Sequence, residues 1–220
     1  MITDEQQSLL EQYLREVLQK NEELNLTTIT SFEAARMLHL EDSLLALPEV
    51  LAAPEGVLVD LGSGGGFPGV PLAVATRRET TLVDSRKKKM DAIAAILEAC
   101  GINGVQTCAM RVEELALDQP EQYAVATARA LSTLPVLLEL AAPLLLRGGK
   151  LIAYKGPECA DEIDAAAQLE SKLGMRQTSI RRACLSDGAT ERTIVVYEKY
   201  ASPQVKLPRR PGVAQKRPYA

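Results

Sequence analysis

A chain of 220 residues with 46% hydrophobic side chains can bury a full core as one domain, with or without an appended helical segment. Its four cysteines never stand in a C-x-x-C spacing, and no basic-then-apolar leader opens the chain. Apolar runs such as Pro135 to Leu146, interrupted by Glu139, fall short of the ~20 residues a membrane span needs, so a reduced, cytoplasmic protein without a membrane partner is expected.

Residues 3–24 read as an amphipathic helix: Leu9, Leu10, Tyr13, Leu14, Val17 and Leu18 recur on one face, and Thr3 with Gln6 forms a capping box. A second helix is predicted over Ser31–Leu45, after which Pro48 and Pro54 mark a boundary. Strand-like runs then alternate with helical ones: strand Val57–Leu61, a helix from Gly69, strand Thr81–Asp84, helix Arg86–Ala99, strand Val105–Cys108, and a helix opening at Met110–Glu114. Strand Ala124–Ala128, helix Pro135–Leu145, strand Leu151–Tyr154 and helix Asp161–Leu173 continue the pattern. Strands Gln177–Arg181 and Thr193–Glu198 follow with no helix between them, as a closing hairpin would. The alternation predicts an α/β, Rossmann-like, mostly parallel sheet with a C-terminal antiparallel hairpin. Three parts are expected: an N-terminal helical extension over 1–54, an α/β domain over 55–200 and a basic tail over 201–220.

The stretch from Val57 to Gly69 is a buried strand running into a glycine-rich turn and a helix, the place where Rossmann-type folds bind nucleotides. Gly62, Gly64 and Gly66 remove the Cβ atoms that would hold a ligand off the main chain. A dinucleotide fingerprint would put its last glycine at position 67, but Phe67 stands there, and the loop instead reads D-x-G-x-G-x-G from Asp60. That pattern resembles S-adenosylmethionine methyltransferases. Asp84 lies 22 residues after Gly62 at the end of the second strand, where a carboxylate can accept both ribose hydroxyls. The residues alone therefore call for a nucleoside-containing ligand, with a nicotinamide dinucleotide as the chief rival.

The resemblance becomes specific in Asn25-Leu26-Thr27, His39 to Leu44, Asp60 to Ala73, Asp84 to Lys88, Arg111 to Glu114, Ala128-Arg129-Ala130, Lys155-Gly156 and Pro208 to Pro218. Together these resemble the bacterial 16S ribosomal RNA guanine-N7 methyltransferases called RsmG or GidB. The resemblance implies a class I methyltransferase fold with a seven-stranded sheet and S-adenosylmethionine as cofactor. It assigns cofactor contacts to Gly62, Phe67, Asp84, Ser85, Arg86, Val112, Glu113 and Arg129, to which the loop reading adds Gly64 and Gly66. It implies as substrate the N7 of one guanine in 16S rRNA, met within the small ribosomal subunit or an assembly intermediate. Gln215 departs from it, standing where a lysine is common.

Guanine N7 carries a free lone pair, so this chemistry needs no general base, and no residue is assigned to bond-making itself. Arg129, Lys155 and Arg192 are the substrate-positioning candidates, with Arg181 and Arg182 as further backbone contacts. The chain has no Pro-Pro pair for gripping exocyclic amines and no Pro-Cys nucleophile for pyrimidine C5. His39, the only histidine, is expected with Asp42 and Ser43 to dock the N-terminal helices on the sheet, and no metal site is expected. Six bases and no acid follow Glu198, so the tail reads as either an RNA-binding arm or a frayed end. On the arm reading, removing Lys206–Ala220 weakens RNA binding and flattens its salt dependence. A small-molecule methyltransferase, which the net charge of −4 would suit, and an RNA-binding module with a structural cofactor remain alternatives.

Overall fold

In a computed structural model, which describes residues 2–219, the chain folds around a strand that is buried along its whole length. That strand, β1 (Leu58–Leu61), sits between two parallel neighbours, β2 (Thr80–Val83) and β4 (Tyr123–Arg129). Apolar side chains on both of its faces are what such a central position requires. Beyond β2 lies β3 (Val105–Cys108), and beyond β4 lies β5 (Leu145–Lys155). The sheet finishes with the hairpin β6 (Met175–Cys184) and β7 (Glu191–Lys199), and β7 pairs antiparallel with both β5 and β6. The order is β3-β2-β1-β4-β5-β7-β6. The chain leaves β1 toward one edge and returns across it to β4, so the C-terminal ends of β1 and β4 form a topological switch point, the usual ligand crevice of such sheets.

The N-terminal helix α1 (Asp4–Leu24) has its capping box as read, with Gln6 N–H donating to Thr3 at 3.2 Å and Thr3 N–H to Gln6 at 2.9 Å. Leu10, Tyr13, Leu14 and Val17 are fully buried and share a core with Val70 and Ile93. The extension is therefore built into one face of the sheet layer. The helix expected over Ser31–Leu45 is helical throughout, but as α2 (Phe32–Ala35), a π-helical stretch (Arg36–Glu41) and α3 (Asp42–Leu44). Pro48 does not break structure; it opens α4 (Leu47–Leu51), where a missing N–H costs nothing. Arg78 secures α4 by donating to the carbonyls of Val50, Ala53, Pro54 and Gly56.

The remaining helices are α5 (Gly69–Thr76), α6 (Lys87–Ala99), α7 (Val112–Asp118), α8 (Leu134–Ala141), α9 (Ala160–Ala167), α10 (Glu170–Leu173) and α11 (Val213–Lys216). The helix read over Pro135–Leu145 ends at Ala141, β6 is longer at both ends than the strand read over Gln177–Arg181, and two further differences have a local cause. The segment Asp161–Leu173 is split near Gln168, and Ala166, Leu169 and Leu173 all reach the core. The strand β5 begins at Leu145, ahead of Gly148 and Gly149, because a register shift against β4 lets that glycine pair bulge out.

Asp60, fully buried, ties three elements together: one carboxylate oxygen accepts from Gly69 N–H at 3.0 Å and the other from the Thr127 hydroxyl at 2.8 Å. A Cβ on Gly69 would meet Asp60 Cβ at 2.8 Å and Leu82 Cδ2 at 2.3 Å, so only glycine lets α5 sit this close to the sheet. Burial raises the Asp60 carboxyl to about 6, with the hydrogen bonds from Thr127 and Gly69 and the Arg129 charge pulling the other way. A carboxyl raised on folding stabilises the protein when protonated, and that contribution is lost as pH rises through about 6. The stability of wild type relative to Asp60→Asn should therefore fall by about 2 kcal/mol between pH 4.5 and 7.5. Urea unfolding at the two pH values checks this; an equal difference at both would show that Asp60 does not titrate in that window.

Candidate functional site

Two clefts open at the C-terminal ends of the central strands. The first is lined by Gly62 after β1, by Asp84, Ser85 and Arg86 after β2, and by Met110 to Glu113 after β3. Ala130 and Leu131 after β4, Leu140 on α8 and Gln215 on α11 complete it. Each wall follows from the local chain. Gly62 takes a φ of +72°, and a Cβ there would lie 2.7 Å from Leu131 Cδ1, so the loop can fold against that side chain only without one.

Asp84 is 7% exposed; Arg86 N–H donates to its Oδ1 at 2.9 Å and Gly64 N–H to its Oδ2 at 3.2 Å. Burial alone would raise this carboxyl, but hydrogen bonds from the Arg86 side chain and backbone, the Arg86 charge and Gly64 outweigh it and leave it below the usual carboxylate range. Asp84 is thus a fixed anion at a strand end, able to accept two hydroxyls. Met110, Val112, Leu131 and Leu140 supply apolar surface for a flat ring. The donor set of this cleft fits an adenosine: an ionised carboxylate for the ribose and apolar walls for the base.

The second cleft is lined by Ile29, Leu38, His39, Asp42, Arg129, Ala130, Tyr154, Lys155, Gly156 and Arg192. The π-helical stretch carries His39 there, and the ends of β4, β5 and β7 carry the three cations. Asp42, 2% exposed, accepts from Arg129 at 2.9 Å and from Arg192 at 3.0 Å. Arg129 also donates to the Leu38 carbonyl at 3.0 Å, and Lys155 lies 2.7 Å from Glu162 while donating to the Ser132 carbonyl at 3.0 Å. The His39 ring stacks on Phe67 with centroids 4.6 Å apart and bonds Thr27 at 2.8 Å. Burial and the Arg129 charge lower His39 to about 4, so the imidazole is neutral near pH 7.

Of the residues assigned to the cofactor, Gly62, Asp84, Ser85, Arg86, Val112 and Glu113 come together in the first cleft. Gly64 is adjacent, touching Asp84 through its N–H. Three lie elsewhere. A Cβ on Gly66 would fall 2.2 Å from the Tyr13 hydroxyl, so that glycine makes room for α1. Phe67, 5% exposed, packs between Tyr13 and His39, and Arg129 lines the second cleft. Glu113 is only partly available, because its Oε1 accepts from Gly212 N–H at 2.7 Å.

Arg129, Lys155 and Arg192, chosen as substrate-positioning residues, do share one cleft. Arg181 is instead bonded to Glu49 at 2.6 Å and to the Leu45 carbonyl, and so anchors α4 against the hairpin. His39 docks the extension as expected but also faces the cleft. Leu131 and Leu140 went unread in the sequence, and Gln215 was noted only as a departure from the family pattern, with no place in the cleft. Leucines at strand and helix ends carry no distinguishing signal, and Gln215 reaches the cleft only through the path of the tail.

That tail is neither a free arm nor a frayed end. Arg209 pairs with Glu139, which is 3% exposed, Ala214 is buried in the main core, and Tyr219 packs under the Arg209 guanidinium. Lys199 is also internal, 2.7 Å from Glu121. Among the six bases, Lys206, Arg210, Lys216 and Arg217 remain exposed for an outside partner. Among the described residues no group of His, Cys, Asp and Glu is placed to hold a metal, and no helix is long and apolar enough to cross a membrane.

A family model described as rRNA small subunit methyltransferase G matches residues 6–194. Proteins named ribosomal RNA small subunit methyltransferase G are similar over nearly the whole chain. That of Limosilactobacillus fermentum is 37% identical over 99% of this chain and 92% of its own length. That of Lactobacillus delbrueckii is 36% identical over 97% and 91%. Among solved structures, a precorrin-6y C5,15-methyltransferase from Geobacter metallireducens superposes with a TM-score of 0.55 at 11% identity, covering 72% of this chain and 88% of its own, which is a likeness of fold.

Proposed function

Because the chain belongs to the rRNA small subunit methyltransferase G family, we propose that it methylates N7 of a single guanine in 16S rRNA with S-adenosylmethionine as donor. When bound, that donor supplies an electrophilic methyl group on a sulfonium. The observation that carries the reading is that Ala130, just past the end of β4, lines both clefts, so a ligand in one abuts a ligand in the other.

On this reading Asp84 holds the ribose hydroxyls, and Met110, Val112, Leu131 and Leu140 hold the base. Arg129 and Lys155, half-buried and fixed by their carboxylate and carbonyl partners, present N–H groups toward guanine O6 or a phosphate. Arg192, through Asp42, stiffens Arg129 and borders the same cleft. The chain's task is then alignment, an effect worth roughly 7–11 kcal/mol in favourable cases. The substrate RNA is met in the small ribosomal subunit or an assembly intermediate, in the cytoplasm.

Guanine N7 has no proton to lose, and His39 stays neutral well above its value of about 4. Single-turnover methyl transfer is therefore expected to be flat between about pH 6 and 8, where a neutral lone pair and neutral imidazole both persist. A tenfold rise with pH over that range would reveal a general base and contradict the reading. Supplying methyl-labelled donor with small subunits, protein-free rRNA or a small-molecule extract tests the acceptor. Label in RNA supports the proposal, and label confined to small molecules overturns it.

A further inference from the structure

We infer that the C-terminal tail is a wall of the cofactor cleft and that Gln215 reads the adenine of the bound cofactor. The inference rests on the cofactor reading above and assigns to it a residue far from the strand ends. Gln215, on α11, lines the first cleft together with Met110, Arg111, Val112 and Glu113. The tail is held there by two bonds ahead of α11: Arg209 is clamped to buried Glu139, and Gly212 N–H is bonded to Glu113 at 2.7 Å. Gly212 takes a φ of +76°, which turns the chain into α11, and Ala214 anchors that turn in the core at 1% exposure. Tyr219, stacked against Arg209 and Lys172, secures the far end.

The chemistry matches. A carboxamide offers one donor and one acceptor side by side, the pairing that glutamine makes with the N6 and N7 edge of adenine. The Gln215 amide is exposed and free of any hydrogen bond among the described residues. Neither neighbouring cation can play this part, because Lys216 and Arg217 offer donors only. The tail thus has two roles: Gln215 faces the nucleoside, and the exposed Arg210, Lys216 and Arg217 beside it stay available to phosphate.

The test uses the full chain without RNA and follows binding calorimetrically with two probes: S-adenosylhomocysteine and its analogue lacking the 6-amino group of the purine. Gln215→Ala is expected to weaken S-adenosylhomocysteine binding about tenfold. Loss of the amino group should cost wild type about as much and cost the variant little, since the partner is already gone. Lys216→Ala should leave both affinities unchanged. An unaltered affinity in Gln215→Ala, or an amino-group loss as large in the variant as in wild type, overturns the inference while leaving the cofactor assignment intact. Failure of wild type to bind S-adenosylhomocysteine sinks both.

Discussion

Replacing Asp84 by alanine is expected to weaken S-adenosylhomocysteine binding by at least about 100-fold while leaving the fold intact. The magnitude follows from the loss of two hydrogen bonds to an ionised carboxylate, each worth about 1.5–3 kcal/mol, at 1.4 kcal/mol per tenfold change. Asp84 is suited to such bonds because Gly64 and Arg86 N–H groups already fix its orientation and keep it ionised. Its ion pair with Arg86 contributes little to stability, since the Arg86 side chain is 61% exposed and screened by water. Calorimetry and thermal unfolding on one preparation separate the two effects. Unchanged affinity would remove Asp84 from the site; a large loss of stability would make it a structural residue.

The opposite balance is expected at Asp42. Its carboxylate is 2% exposed and holds two guanidiniums, Arg129 and Arg192, from β4 and β7. Alanine there would leave two half-buried cations facing one another without their anion. Breaking such a buried bridge costs about 3–5 kcal/mol, or roughly 10 °C in unfolding midpoint for a domain of this size. Binding of S-adenosylhomocysteine should change little, because Asp42 lies on the second cleft and not the first. A loss below about 1 kcal/mol would show that the bridge is solvated like a surface pair.

These two aspartates also mark how far the sequence could be read. Asp84 follows from local order alone: an apolar strand, a glycine turn, a helix, and a second apolar strand ending in an acid. The switch between β1 and β4 follows from the same alternation, so the fold and half of the first cleft were legible. Asp42 was read as a docking residue, but its bridge joins residues 87 and 150 positions away, and no local pattern encodes that. The glycine loop shows a limit of another kind. Glycines are demanded wherever backbone approaches something closely, and at Gly66 the close approach in the structure is to Tyr13. Charge misled at the tail: counting bases could not show that Arg209 and Lys199 each have a buried or neighbouring carboxylate partner.

The most direct measurement is nucleoside analysis of small-subunit rRNA after incubation with this protein and methyl-labelled S-adenosylmethionine. All the label is expected in 7-methylguanosine, at one position, from a donor cleft and a cationic acceptor cleft that meet at Ala130. Label on an exocyclic amine or a ring carbon, or RNA left unlabelled by protein that binds the cofactor, would contradict it.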